Sequence, residues 1–455
     1  MSNTDAISDP DDVMLERSTL RKVTWRLIPF IFILYIFSIL DRSNVTIAAL
    51  KMNQALKLTD EMYGFGVGIF FIGYFLFEVP SNILMERFGA RRWIARILFT
   101  WGIIASLMMF MQTPMHFYLA RFSLGIAEAG FFPGIMLYLT YWFPNAARGQ
   151  AAARFILGGT IAGIIGTPLG AFLMSLNGLK GLQGWQWLYL VEGIPSFLLG
   201  FVVLHYMTDR PEQAHWLLPQ EREWLTRTLL REQTHRQKFH HMSLLQALKY
   251  PRVLHLSALF FLNIFSGAGL GTFSNLLLRQ RTGWPDQKLL LISTIPSIFG
   301  AVAMMLASAH SDRTGERRLY TVCGMFIAAL GVALIVWTRT PALTMTALCI
   351  VAIGVAIFNG PFWAMTTGFL SGAAAAGGIA FINSVGNSGS FFGPVLMGKL
   401  KTYTSGYEMG LAVLAVTFIL AAVIGFLLPP DPALEQIAEP IEPSEPDVTD
   451  HLQVI

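Results

Sequence analysis

Apolar residues along the chain fall into long runs separated by short polar hinges. A run of about 20 is what an α-helix needs to cross roughly 30 Å of hydrocarbon at 1.5 Å per residue. Such runs lie near 26–50, 62–84, 93–112, 117–142, 151–175, 186–207, 253–278, 288–309, 319–338, 342–370, 374–398 and 407–428. The pattern predicts an all-α membrane protein of about twelve transmembrane helices, because a helix satisfies every backbone group internally. A large soluble helical protein would not need so many uncharged runs in succession.

Two stretches break the pattern. Residues 208–251 are polar and charged, with Trp216, Leu217, Trp224, Leu225, Leu229 and Leu230 at helical spacing; they read as a cytoplasmic linker with amphipathic surface helices. Residues 429–455 are acidic and proline-rich, as in Glu439-Pro440-Ile441-Glu442-Pro443, and read as a disordered cytoplasmic tail. The expected layout is a cytoplasmic N-terminal segment at 1–25, a six-helix bundle at 26–207, the linker at 208–251, a second six-helix bundle at 252–428, and the tail.

The two bundles share a hinge. Glu86-Arg87-Phe88-Gly89-Ala90-Arg91-Arg92 recurs as Asp312-Arg313-Thr314-Gly315-Glu316-Arg317-Arg318, each copy lying between two apolar runs about half a chain apart. Internal repetition of this kind marks transporters built from two related helical bundles.

Composition and charge refine the picture. Charged residues make up 13% of the chain and mean hydropathy is +0.54, whereas a soluble domain carries roughly 25% charge. Basic residues cluster before the first run (Arg17, Arg21, Lys22, Arg26), in both hinges and in the linker. The positive-inside rule then puts both termini in the cytoplasm, and the protein in the cell membrane. The net charge of +4 follows from that orientation and requires no nucleic-acid partner. Cys323 and Cys349 both fall in apolar runs, which excludes a disulfide framework. With no phosphate loop, nucleophile elbow or His/Cys metal spacing, no enzymatic activity, metal or cofactor is expected.

Ionisable groups inside a membrane helix cost roughly 2.5–3.5 kcal/mol each on insertion scales, so they pair or carry function. Asp41 and Arg42 lie in the first run, Arg121 and Glu128 in the fourth, and Glu192 in the sixth. Arg121 and Glu128 share one helix face about 10 Å apart, with Gly125 between them leaving room for a ligand or a neighbouring helix. A guanidinium offers a two-pronged fit to a carboxylate, and a carboxyl in low dielectric takes and releases a proton. The pair is therefore an anion clamp with a proton carrier, or else a plain ion pair tying helices together. For Glu192 the ion-pair reading is preferred. Asn383 and Asn387, four apart in the eleventh run, offer neutral polar contacts to substrate or between helices, and Tyr74 is placed to reach a central cavity. Gly158, Gly159, Gly163, Gly166 and Gly170 in the fifth run read as helix-packing positions.

With these residues in view, the chain resembles a major facilitator superfamily transporter, and within it the anion:cation symporter family. The hinge resembles that superfamily's gating motif. Asp41-Arg42-Ser43-Asn44, Pro80-Ser81-Asn82, the stretch from Ile126 to Gly134, Gly184-Trp185-Gln186-Trp187 with Glu192-Gly193, and the stretch from Gly360 to Asn387 carry the narrower likeness. The resemblance implies proton-coupled uptake of a small organic anion such as tartrate, a sugar acid or an aromatic carboxylate, by a monomer driven by the proton gradient. Arg42 and Arg121 would bind substrate, with Tyr74, Asn383 and Asn387 as further contacts. Glu128 and Asp41 would couple protons. Glu86, Arg87, Arg91, Arg92, Asp312, Arg313, Arg317 and Arg318 would gate. Where many relatives carry an aromatic-Leu-Pro element, this chain reads Phe273-Ser274-Asn275, so its substrate choice is expected to differ. A proton-coupled exporter and a non-transporting sensor are the competing expectations.

Overall fold

The computed structural model describes residues 10–237, 251–369 and 373–428. All its regular elements are helices, with no strand among the described residues. In the first half these are α1 (Pro10–Ala55), α2 (Asp60–Phe88), α3 (Ala90–Leu107), α4 (Pro114–Glu128), α5 (Phe131–Thr140), α6 (Asn145–Ser175) and α7 (Gly184–Tyr206). After α8 (Pro219–Gln237) come α9 (Pro251–Thr282), α10 (Asp286–Ile292), α11 (Ile295–Thr314), α12 (Arg318–Trp337), α13 (Pro341–Phe369), α14 (Ala373–Thr404) and α15 (Glu408–Leu427).

Among the described residues, eleven spans are long and apolar enough to cross a membrane; α4 with α5 and α10 with α11 each make one broken span. The helix α14 is long enough, but Asn383, Ser384, Asn387, Ser388 and Ser390 dilute its apolar character, and it is not among the eleven. It still packs against α2 and α9 within the helical assembly, completing twelve. Capping chemistry marks the ends. Thr59 accepts from Met62 N at 3.2 Å, and Thr113, just ahead of Pro114, accepts from His116 N at 3.2 Å.

Both hinge copies turn at a glycine of positive φ. Gly89 and Gly315 end α2 and α11 at φ +88° and +71°, a region open to glycine at little cost. Asp209 also braces the first hinge, its Oδ1 accepting from Arg91 N at 2.7 Å and capping α3.

The two halves meet at the end away from the hinges. Tyr63 donates to Thr272 O at 3.1 Å, Asn275 to Thr46 O at 3.2 Å, and Glu61 N to Thr402 Oγ1 at 3.2 Å. Arg279 donates to Leu50 O, and Asp286 lies 3.3 Å from Lys51 and 3.6 Å from Arg279. Every hydrogen bond and ion pair between described residues of the two halves lies at this end. At the hinge end no hydrogen bond or ion pair joins described residues of the two halves, and Phe75, Leu76, Val79 and Ile83 of α2 are exposed.

The N-terminal segment and the linker are helical where described. From residue 10 onward the N-terminal segment is continuous with α1. The helix α8 docks on this extension. Glu221 receives Lys22 at 2.7 Å, Ser18 at 3.3 Å and Leu218 N at 3.0 Å, and Arg26 lies between the rings of Tyr206 and Trp216. Burial opposes ionisation of Glu221, but the Lys22 and Leu218 hydrogen bonds outweigh it and hold this carboxyl below its usual range. The described linker therefore belongs to the first bundle. The expected tail at 429–455 lies outside the described residues.

Candidate functional site

The fourth span places the chemistry. It breaks at Ala129 and Gly130, where φ of +85° and the Ser81 hydroxyl leave no room for a side chain: an added Cβ would lie 2.3 Å from Ser81 Oγ. Glu128 is therefore the last residue of α4, at mid-span. Gly125 and Gly73 bring α4 against α2, since a Cβ on Gly125 would lie 2.1 Å from Phe70 O. The room beside Gly125 holds a neighbouring helix.

Arg121 and Glu128 do not pair with each other. Glu128 is fully buried, and its Oε1 accepts from Ser38 Oγ at 2.8 Å and from Arg42 Nε at 2.6 Å. The ion pair of this site thus joins α4 to α1, with Arg42 27% exposed. It is one-pronged: Glu128 Oε2 and Arg42 Nη2 are buried without partners. Arg121, only 2% exposed, reaches Val67 O at 3.4 Å and covers the Phe70 ring at 4.6 Å. Its Nε and Nη1 have no partner. Buried donors of this kind are normally satisfied, so unused guanidinium N–H groups mark a place for an acceptor.

Both arginines line a cavity of about 170 Å³ between the halves. Its opposite wall is small and neutral: Ala268, Gly271 and Thr272 of α9 with Ser390 and Pro394 of α14. Tyr74 stands beside it, its ring 4.9 Å below the Arg42 guanidinium and stacked on Phe70. Asn387 donates to Asn383 Oδ1 at 3.0 Å; this couple lies up to three turns along α14 from the cavity's Ser390 and Pro394 and does not line the cavity.

Asp41 lies on the far side of α1 from the cavity. It accepts from Ser196 Oγ at 3.0 Å and Asn44 Nδ2 at 3.3 Å. The ion pair expected for Glu192 is absent among the described residues; its two oxygens have no partner and no lysine or arginine reaches it. The reason is position: Glu192 faces α1 and α3 in the dry interior of the first bundle.

Among the described side chains, no hinge residue forms a hydrogen bond or ion pair between the halves. Glu86, Arg87, Arg92 and Arg313 are exposed. The Arg91 backbone N–H bonds within the first half, and two second-copy arginines bond within the second, Arg317 donating to Ala364 O at 2.6 Å and Arg318 to Phe426 O. Asp312 falls in the last turn of α11, its side chain outside those described.

Sequence reading missed Ser38, Thr272, Ser390 and Asp209. Single hydroxyls carry no signal in a membrane helix, and the Asp209 contact spans 118 positions. Of the α6 glycines, Gly166 packs against Leu40 and Gly170 against Ile47 of α1, and Gly158 and Gly159 against Tyr35, whereas Gly149 and Gly163 face open space.

Residues 31–394 match the Major Facilitator Superfamily. A candidate tartrate transporter of Agrobacterium vitis is 44% identical over 91% of this chain and 92% of its own length. A quinolone resistance transporter of Acinetobacter baumannii is 38% identical over 91% and 95%. Among solved structures, a bacterial homologue of the lysosomal transporter Spinster, in an inward-facing conformation, superposes with a TM-score of 0.75 at 16% identity, covering 88% of this chain and 96% of that one.

Proposed function

Since the chain belongs to the Major Facilitator Superfamily and is a multi-pass membrane protein of that transporter family, we propose that it imports a small organic anion together with protons by alternating access. The observation that carries this reading is the incomplete Arg42–Glu128 pair beside the unused Arg121 donors. A substrate carboxylate in the cavity competes with Glu128 for Arg42 and takes the free N–H groups of Arg121. Proton transfer to Glu128 releases Arg42 for substrate, so substrate and proton bind together. Ser38 then holds the protonated carboxyl in place. In this reading the hinge end is cytoplasmic, with both termini there in the plasma membrane. The structure is then the inward-open state, held by the outer contacts around Asp286, with the hinge residues and Asp312 relatched when the cavity turns outward.

The cavity's size and two guanidiniums favour a compact carboxylate of the tartrate or sugar-acid kind, carried on the proton gradient without a cofactor. The quinolone resistance relative favours export as the second reading. Uptake into proteoliposomes separates the two. A panel of tartrate, sugar acids, aromatic carboxylates, their amides and a fluoroquinolone is offered with the outside acidic. Accumulation of an acid but not its amide is expected. Transport of the quinolone against the proton gradient, with no acid carried, would replace import by export.

A further inference from the structure

Asp41 and Glu192 are 3% and 2% exposed and neither lines the central cavity. They lie where α1, α3 and α7 pack, and the two carboxyls interact electrostatically. Their surroundings differ. Asp41 accepts from Ser196 Oγ and Asn44 Nδ2, and the indole of Trp101 on α3 lies beside it with its Nε1 unpaired. Among the described residues the one donor near Glu192 is the Asn44 amide, which donates at 3.3 Å to Asp41 instead, and both Glu192 oxygens and Asn44 Oδ1 are left without a bond. An orphan carboxyl next to an orphan acceptor is costly, because buried polar atoms are almost always paired. One hydrogen on Glu192 would supply the missing donor to Asn44 Oδ1 or to Asp41. Two carboxylates cannot both stay ionised side by side in a dry core without a cation.

We propose that Asp41 and Glu192 form a proton-holding site of their own, one proton being shared between them and carried on the Glu192 side. The other titratable groups around it are Tyr189, one turn from Glu192 on α7, and Glu128 on α4, whose charge reaches Asp41; Arg121 lies beyond Tyr189. Ionised Glu128 tightens the hold on this proton by like-charge repulsion, so the two sites communicate across α1. The role in transport rests on the proton-coupled reading above, whereas the shared proton rests on burial and partners alone.

Infrared difference spectroscopy of the purified full chain in nanodiscs, without substrate, reads the proton directly. The wild type should show a protonated-carboxyl C=O band at neutral pH that is lost in Glu192→Gln and retained in Asp41→Asn. Glu192→Asp keeps a carboxyl and should keep a displaced band, which guards against misfolding of the amide. In proteoliposomes loaded with whichever acid is carried, Glu192→Gln should extend exchange to more alkaline pH, because its side chain never ionises. A merely structural glutamate would not move that limb. If no band depends on Glu192, or if the alkaline limb is unchanged, the proposal is overturned. Failure of the anion panel alone leaves the infrared result standing.

Discussion

The two halves repeat one architecture and divide the chemistry unequally. Asp41, Arg121, Glu128 and Glu192 are all buried in the first bundle, and Glu221 beneath it. Among the described residues of the second bundle no charged side chain is buried; its interior polar groups are Ser, Thr and Asn, such as Thr272 and Ser390 at the cavity wall. The difference teaches that pseudo-symmetry here is a property of the moving parts. In the proposed mechanism one bundle recognises charge and protons, and the other supplies the neutral wall seen at the cavity.

The largest effect is expected from Arg42→Gln, which leaves Glu128 buried without its cation. Breaking such a pair typically costs about 3–5 kcal/mol. Thermal unfolding at neutral pH should report a loss of that order, and the double variant Arg42→Gln/Glu128→Gln should recover most of it. Additive losses would mean that the two residues are not coupled.

Next in size is Arg121. Arg121→Gln should weaken binding of the carried acid by about 2–5 kcal/mol, by analogy with losing one partner of a buried charge pair. Arg121→Lys should already be impaired, since an ammonium lacks the planar fork. On the opposite wall, Ser390→Ala should cost about 1 kcal/mol, the worth of one neutral hydrogen bond. Isothermal titration of the three variants tests the division between the halves; equal losses on both walls would erase it.

Much of this division is legible in the chain itself. Arginine and glutamate stand out in an apolar run, so hydropathy alone singles out Arg42, Arg121 and Glu128, and the repeated hinge gives away the two-bundle plan. Who pairs with whom is not legible. The seven-residue spacing of Arg121 and Glu128 points to one face of one helix, but the break at Gly130 and the close approach of α1 hand Glu128 to Arg42. The cavity wall is equally hidden, because Ala268, Gly271 and Ser390 acquire meaning only when the bundles meet.

Smaller effects test the two ends. Asp286 faces Lys51 across the closed end, whereas Asp312 belongs to the hinge motif at the open end. Asp286→Asn should shift the population towards the state closed at the hinges, and Asp312→Asn towards the state open there. Cysteine accessibility from each side of the membrane should move in opposite directions. Shifts of the same sign would contradict the latch assignment.

The smallest effect concerns α8. The Glu221 carboxyl is held below its usual range, so its contribution to docking is complete above the ordinary glutamate value of about 4.3. That contribution is lost as pH falls through the lower folded-state value. Hydrogen-exchange protection of α8 should fall at that acid pH in the wild type and be low already at neutral pH in Glu221→Gln, the two converging at acid pH. A flat profile in the wild type would mean that α8 is held by its apolar contacts alone.

The central claim is that Glu128 and the substrate compete for Arg42, with a proton deciding the contest. It is tested most directly by measuring the affinity of the carried acid against pH, in wild type and in Glu128→Gln. Wild-type affinity should rise as pH falls, because protonation frees Arg42. In Glu128→Gln the carboxyl is permanently neutral, so binding should be tight at every pH while gradient-driven accumulation is abolished and exchange persists. A variant that keeps the wild-type pH dependence, or still accumulates substrate on a proton gradient, would contradict the account.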